Sequence, residues 1–202
     1  MSAMTDVRRR ACSAQAALPE TGPELIDGSR TRQAKAKVGI AMDLQLEGKT
    51  FLITGGSTGL GRALAEQLVK EGAYVALMAR DGEKLSATAE ALRAEGGEVL
   101  DVAGDVKHIE DLTRFVEAAK GRWGRIDGVV NNAGELAAGA FADQDDTIWQ
   151  EDVALKLMGA VRLTRLALPA LRESRGAVVN TLAISAKAPD ALTGTPPERM
   201  HQ

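Results

Sequence analysis

The sequence has little of what defines several protein classes. Cys12 is the only cysteine among 202 residues, so no internal disulfide can form, which fits a cytoplasmic protein. No apolar run approaches the roughly 20 residues that span a bilayer, and no apolar signal segment opens the chain. The formal net charge of −3 gives no electrostatic basis for binding nucleic acid or an anionic membrane. His108 and His201 lie apart from other metal-ligating residues, so no metal site is predicted.

The composition and the two ends of the chain indicate one central domain. Hydrophobic residues make up 45% and charged residues 26%, as in ordinary globular proteins. Residues 1–45 show no helical or strand period and are predicted to be a disordered extension. Two alternatives stay open for them: a mitochondrial transit peptide, or an upstream extension if Met42 is the natural start. The proline-rich residues 190–202 are predicted to be an irregular tail, which leaves 46–189 as the domain.

Apolar runs alternate with helical patterns throughout this domain. Five runs have the composition of buried strands, at 50–54, 73–79, 98–103, 126–131 and 176–182. Alternation of strand and helix implies right-handed crossovers and a parallel sheet. The predicted fold class is α/β, a Rossmann-like doubly wound parallel sheet with strand order 3-2-1-4-5. That last strand would leave one edge of the sheet exposed.

The fourth helical pattern is the longest and extends from about Thr147 to Arg172. Apolar and small residues recur along it at Trp149, Val153, Leu157, Ala160, Val161, Thr164 and Leu168. This spacing predicts one helix with these residues on its apolar face.

A glycine-rich segment follows the first predicted strand and opens the first predicted helix. It reads Thr54-Gly55-Gly56-Ser57-Thr58-Gly59-Leu60-Gly61. Glycines let backbone N–H groups approach an anion without a Cβ in the way, and the positive end of the helix dipole faces that anion. The segment therefore predicts a phosphate-binding loop, with contacts from Gly55, Ser57, Thr58, Gly59, Leu60 and Gly61.

The end of the second predicted strand indicates which dinucleotide this loop would hold. An acidic residue there would bind the 2′-hydroxyl of NAD, whereas a nearby arginine accommodates the 2′-phosphate of NADP. Ala79 occupies the acidic position, and Arg80 follows about 20 residues after Gly61. A planar guanidinium suits a phosphate dianion, and Ser57 would add a hydroxyl contact, so NADP is favoured over NAD. Asp81 is either a competing ribose contact or the cap of the next helix.

Two further motifs follow the third and fourth predicted strands. They are Gly104-Asp105-Val106 and Asn131-Asn132-Ala133-Gly134. Together with the glycine spacing Gly55-x-x-x-Gly59-x-Gly61, they make the chain resemble the short-chain dehydrogenases/reductases over about 46–189. The resemblance implies that the sheet is truncated after the fifth strand, because that family's sheet continues beyond it.

The resemblance implies roles for both motifs in holding the cofactor. Asp105 would bond the adenine amino group with Val106 beside it, and Asp105 could also cap the following helix. Asn131 and Asn132 would tie neighbouring strands and loops together through the hydrogen bonds of their side-chain amides. Ala133 and Gly134 would be small because the backbone passes close to the ribose and nicotinamide.

The resemblance also implies a catalytic set of Tyr, Lys, Ser and Asn, from which this sequence departs. Lys156 occupies the Asn position, and Ala183 occupies the Ser position with Ser185 two residues later. The candidate catalytic residues are therefore Lys156 and Ser185. No Tyr-x-x-x-Lys motif exists, because Tyr74, at the start of the second predicted strand, is the only tyrosine.

The predicted function is that of an NADP-dependent oxidoreductase acting on a carbonyl/alcohol pair, impaired by the missing tyrosine and lysine. The alternatives are a non-catalytic dinucleotide-binding or partner-binding module, and an unstable gene fragment. The expected partners are the nicotinamide dinucleotide, a small carbonyl or alcohol substrate if the chain is active, and a second copy through the fourth helix.

Overall fold

Five parallel strands form the centre of the structure, a computed structural model that describes residues 44–135 and 144–182. The strands are β1 (Thr50–Thr54), β2 (Tyr74–Ala79), β3 (Val99–Ala103), β4 (Gly128–Asn131) and β5 (Ala177–Asn180). Their order in the sheet is β3-β2-β1-β4-β5, which confirms the predicted doubly wound arrangement. The predicted N-terminal extension up to residue 43, the predicted tail and Ser185 lie outside the described residues.

Helices cover both faces of this sheet. They are α1 (Gly59–Lys70), α2 (Gly82–Ala94), α3 (Ile109–Trp123), α4 (Asp146–Val153) and α5 (Gly159–Ser174), with a π-helical turn (Ala154–Met158) between the last two. Among the described residues, no helix combines the length and the apolar character needed to cross a bilayer.

Successive strand residues point into two separate cores. Leu52 packs with Phe115 of α3 and Leu163 of α5, whereas its neighbour Ile53 packs with Ala65 of α1 and with residues of α2. Side chains of a strand alternate between the two faces of its sheet, so adjacent apolar residues serve opposite layers. This explains why the central strands are continuous apolar runs rather than alternating ones.

The predicted apolar face of the fourth helix is not the face that packs in the core. The core side of α5 consists of Leu163, Ala167, Ala170 and Leu171. The predicted residues Val153, Leu157 and Val161 are instead 45%, 57% and 45% exposed. A π-helical turn adds a residue to the repeat and so shifts the phase of all that follows, which a constant helical spacing does not represent.

The fifth strand also differs from its prediction, in the exposure of its side chains. It was expected to be buried, yet all four of its residues are exposed. Within the described residues β5 bonds only to β4, so it has a neighbouring strand on one side only. This agrees with the prediction that the strand would leave an exposed sheet edge.

Asp127 joins the amino ends of β1, β4 and β5. Its carboxylate accepts hydrogen bonds from the Thr50 backbone N–H at 2.9 Å and from Nε and Nη2 of Arg125 at 2.8 and 2.6 Å. Its backbone carbonyl accepts from the N–H of Ala177 at 2.9 Å. These bonds raise the pKa of Arg125, while the Asp127 side chain itself is only 6% exposed. A Cβ on Gly176 would lie 2.4 Å from the Asp127 carbonyl oxygen, so the approach of β5 requires glycine there.

Asp127→Ala should lower the free energy of unfolding by about 2–3 kcal/mol, because it leaves the buried Thr50 N–H without an acceptor and Arg125 without its partner. Urea unfolding followed by circular dichroism measures the change. Glu98→Gln is the control, because it breaks an exposed pair with Arg122 and should cost less than about 1 kcal/mol. Equal losses in the two variants would mean that Asp127 does not hold the strands together.

Candidate functional site

The carboxyl ends of the strands open into one cavity of about 1550 Å³. Its wall consists of the segments that follow β1, β2, β3 and β4, together with one side of the π-helical turn and α5. Strands β1 to β3 are added towards one edge of the sheet, whereas β4 and β5 are added towards the other, and ligands of doubly wound sheets bind at such a switch point between β1 and β4. The predicted site residues that line the cavity are Gly55, Ser57, Thr58, Leu60, Arg80, Asp105, Val106, Asn131, Ala133, Gly134 and Lys156.

The glycine loop brings the start of α1 directly against the end of β1. A Cβ on Gly61 would lie 2.3 Å from the carbonyl oxygen of Gly55 and 2.7 Å from Nδ2 of Asn132. Gly55 itself has φ = 68°, which favours glycine, and its Cβ would lie 3.1 Å from Cα of Ala133. Gly61 therefore allows the start of α1 to pack against the backbone of Gly55, and it does not itself line the cavity.

On the cavity side, the N-terminus of α1 has neither a side-chain cap nor an acidic residue to balance its positive helix dipole. Thr58 precedes the helix with an extended backbone and makes no side-chain capping bond, and the first turn contains no acidic residue. The first N–H groups of a helix have no intrahelical partner, and they carry the positive end of its dipole. This terminus can bind an anionic group such as a phosphate.

A hydrogen-bond network makes the glycine loop and the Asn131–Gly134 segment one unit. The hydroxyl oxygen of Thr54 accepts bonds from the backbone N–H groups of Asn132 and Ala133, each at 3.0 Å. In return, Nδ2 of Asn132 donates to the carbonyl oxygens of Thr54 and Gly55 at 3.2 and 3.3 Å. The ends of β1 and β4 therefore hold each other in place at the switch point.

Asn131 extends this network to the next strand. Its Nδ2 donates to Oδ1 of Asn180 at 2.8 Å and to the hydroxyl of Thr164 at 3.3 Å, which joins β4, β5 and α5. The predicted role of the asparagines as ties between neighbouring strands and loops is confirmed. The roles of Thr54, Thr164 and Asn180 were missed, and only the position of Thr54 directly before the glycines could have indicated one of them.

Two oppositely charged residues with different roles follow the second strand. Nη2 of Arg80 lies 2.9 Å from Oε2 of Glu135, and both side chains are exposed. Asp81 caps α2, because its Oδ1 accepts from the Lys84 backbone N–H at 3.0 Å. Hydrogen bonds from Lys84 lower the pKa of Asp81. Of the two predicted roles for Asp81, the helix cap is therefore confirmed, whereas the partnership of Arg80 with Glu135 was not anticipated.

Asp105 lies in the loop before α3 but does not cap that helix. The helix begins at Ile109 after His108, so the predicted capping role was wrong. Oδ1 of Asp105 instead accepts from the Lys107 backbone N–H at 2.9 Å, and its own N–H donates to Oδ2 of Asp111 at 2.8 Å. The bond from Asp105 is the main reason that the pKa of Asp111 is lowered. The loop thus has its own turn, which presents Asp105 and Val106 to the cavity.

Of the two predicted catalytic residues, only Lys156 can be placed. It lies in the π-helical turn, where its Nζ is 2.5 Å from Oδ1 of Asp152 and its side chain is 43% exposed. Tyr74 lies at the amino end of β2, away from the cavity, and stacks on Trp123 with ring centroids 5.6 Å apart. The described residues include no group of three or more acidic, histidine or cysteine side chains positioned to hold a metal ion.

Comparisons with known proteins agree with this architecture. A 11-beta-hydroxysteroid dehydrogenase A of Sesamum indicum is 37% identical over 144 residues, which cover 70% of this chain and 41% of that protein. The crystal structure of L-sorbose reductase from Gluconobacter frateurii, complexed with NADPH and L-sorbose, matches with a TM-score of 0.71 and 38% identity, over 74% of this chain and 58% of that one. An actinorhodin polyketide ketoreductase crystallised with NADPH matches with a TM-score of 0.67 and 34% identity, over 71% and 56%.

The chain spans about half the length of the curated relatives that it matches. The family model described as short chain dehydrogenase matches residues 49–194, which include every strand and helix of the described structure. The chain belongs to the short chain dehydrogenase family.

Proposed function

We propose that this chain binds a nicotinamide dinucleotide in the cavity, NADP in preference to NAD, and acts in reduction or oxidation of a carbonyl/alcohol pair. The observation that carries the proposal is the uncapped N-terminus of α1, which the Thr54–Asn132 network holds open towards the cavity. Membership of a family of oxidoreductases and two neighbours solved with NADPH support the same cofactor class.

The residues of the cavity suit the parts of such a dinucleotide in order. The loop from Gly55 to Gly61 would hold the pyrophosphate at the start of α1, and a Cβ on Gly61 would displace this loop by overlapping the Gly55 carbonyl. Arg80 would pair with the 2′-phosphate, with a contribution from Ser57. Asp105 and Val106 would flank the adenine, while Asn131, Ala133 and Gly134 would form the wall beside the ribose and nicotinamide.

The proposed chemistry depends on a proton donor as well as on the cofactor. The bound nicotinamide would supply or accept the hydride. Lys156 is the ionisable residue of this chain that we propose to supply the proton, because it lines the cavity. The 202 residues contain no Tyr-x-x-x-Lys motif, and Lys156 already pairs with Asp152. We therefore expect turnover lower by about 10²–10⁴ than with a well-placed general acid.

The same observations favour a second candidate function, a dinucleotide-binding module without catalysis. In that case Lys156 would remain an ordinary helix residue paired with Asp152. Association of two copies through the fourth helix stays a prediction, which the exposed Val153, Leu157 and Val161 support. A cytoplasmic location likewise stays a prediction that the single cysteine supports.

Titration with NADPH and NADH, followed by nicotinamide fluorescence, tests the cofactor assignment. We expect tighter binding of NADPH, and Arg80→Ala should weaken NADPH binding by about tenfold or more while leaving NADH binding nearly unchanged. Arg122→Ala is the control, because it also removes an exposed arginine that pairs with a glutamate, outside the cavity. A preference of the unmodified protein for NADH would contradict the assignment to NADP.

Gly61→Ala should abolish binding of both dinucleotides, because the added methyl group would overlap the Gly55 carbonyl and displace the loop. Isothermal titration calorimetry measures the binding, and thermal unfolding shows whether the variant is still folded. Gly121→Ala is the matched control: it lies within α3 with open space around the added Cβ, and should leave binding intact. Retained dinucleotide binding by Gly61→Ala would place the phosphate site elsewhere.

Lys156→Met tests the proposed proton donor. With NADPH and a panel of aldehydes and ketones, it should lower the residual rate at least about tenfold while leaving NADPH affinity unchanged. Lys120→Met, on the exposed end of α3, is the control. Equal rates for both variants would mean that water or another group supplies the proton. Tight NADPH binding without turnover in the unmodified protein would favour the non-catalytic module.

A further inference from the structure

The ion pair between Arg80 and Glu135 crosses the mouth of the cavity. Arg80 follows β2 and Glu135 comes shortly after β4, and in the sheet these two strands lie on opposite sides of β1. Two strand spacings amount to about 10 Å, so the two long side chains must extend towards each other past the end of β1. That end of β1 is where the glycine loop begins, so the pair lies beside the proposed phosphate site.

Glu135 holds the same guanidinium that the proposed 2′-phosphate site needs. Nη2 of Arg80 is 2.9 Å from Oε2 of Glu135, with the two side chains 58% and 61% exposed. A carboxylate and a phosphate compete for the donors of one guanidinium, since both bind it through charge-assisted hydrogen bonds. A phosphate that arrives at Arg80 must therefore displace Glu135 or lie next to its negative charge.

Two lysines near Arg80 are also paired with carboxylates. Lys84, which lines the cavity, pairs with Asp81 at 2.8 Å, and Lys107 pairs with Glu151. The hydrogen bond to Glu151 raises the pKa of Lys107, against smaller opposing effects of burial and of the Arg80 charge. A dianion that binds Arg80 or either lysine therefore disturbs an existing ion pair.

We propose that Glu135 is a specificity-determining residue that competes with the 2′-phosphate of the dinucleotide for Arg80, and so narrows the preference for NADP over NAD. The inference rests on the proposed function of the cavity. The 2′-phosphate of NADP must either break the Arg80–Glu135 pair or bind Arg80 beside the carboxylate of Glu135, so it faces that negative charge at short range in both cases. NAD, which has a neutral 2′-hydroxyl, leaves the pair intact. The competition therefore lowers the affinity for NADP but not the affinity for NAD.

Glu135→Gln tests the competition, because it removes the charge and keeps the size of the side chain. Fluorescence titration at low ionic strength should show NADPH bound about three- to tenfold more tightly by the variant, with NADH affinity changed less than about twofold. Glu98→Gln is the matched control: Glu98 also pairs with an exposed arginine, Arg122, but outside the cavity. It should alter neither affinity.

A double-mutant cycle separates competition from a general charge effect. In an Arg80→Ala background, Glu135→Gln should give a much smaller gain in NADPH affinity, because the contested guanidinium is gone. An equal increase in the affinities for NADPH and NADH on Glu135→Gln would overturn the proposal, since it would indicate only a long-range electrostatic effect of the removed charge. Weaker binding of both would also overturn it, and would make the pair a clamp over the bound dinucleotide.

The inference and the proposed function fail in different ways. If the unmodified protein binds NADPH and Glu135→Gln leaves that affinity unchanged, the competition is overturned while the cofactor site stands. If the variant binds NADPH and the unmodified protein does so only weakly, the competition is supported. If neither protein binds NADPH or NADH, both proposals are overturned.

Discussion

The cavity depends on one constraint, the mutual hydrogen bonding of the ends of β1 and β4. Strands lose their ladder partners where they leave a sheet, and the N–H groups there need other acceptors. The Thr54 hydroxyl supplies one to both Asn132 and Ala133, and the Asn132 amide returns bonds to the chain leaving β1. The backbone N–H groups of Gly55 and Gly56 donate to the carbonyl oxygen of Met78 at 2.8 and 3.2 Å. The part of the loop that can face a ligand is therefore the uncapped start of α1 after Thr58.

Charges are arranged around this backbone framework in matched pairs. Arg80 pairs with Glu135, Lys84 with Asp81, and Lys107 with Glu151, so each of these three cations has a carboxylate partner. The start of α1 adds the positive end of its helix dipole on the cavity side, and its first turn has no acidic side chain to offset it. A phosphate group would therefore meet a fixed dipole at the loop and a contested cation at Arg80. These two contacts differ in kind, since only the second requires an existing partner to move.

The sequence predicted the sheet well because its strands are buried on both faces. Such strands are continuous apolar runs, and the predicted runs agree with the observed strands to within two residues at each end. The glycine loop and the Asn131–Gly134 segment were also recognisable, because close backbone approach restricts them to small residues. Glu135 was not recognisable, since its partner lies 55 residues away and meets it only through the strand order. The fourth helical pattern was predicted as one regular helix, whereas a π-helical turn at Ala154–Met158 interrupts it and changes the phase of the repeat.

Dinucleotide binding and proton transfer depend on different parts of this fold, so a change that removes one need not remove the other. The proposed dinucleotide contacts come from segments after β1, β2, β3 and β4, and hydrogen bonds within the described residues hold these segments in place. Lys156 lies instead in a π-helical turn, where its nearest ionic partner, Asp152, belongs to the same helical segment. A change at Lys156 therefore leaves the strand-end framework untouched. The cofactor site can be complete in a chain whose proton donor is weak, which is the combination that the residues of this cavity favour.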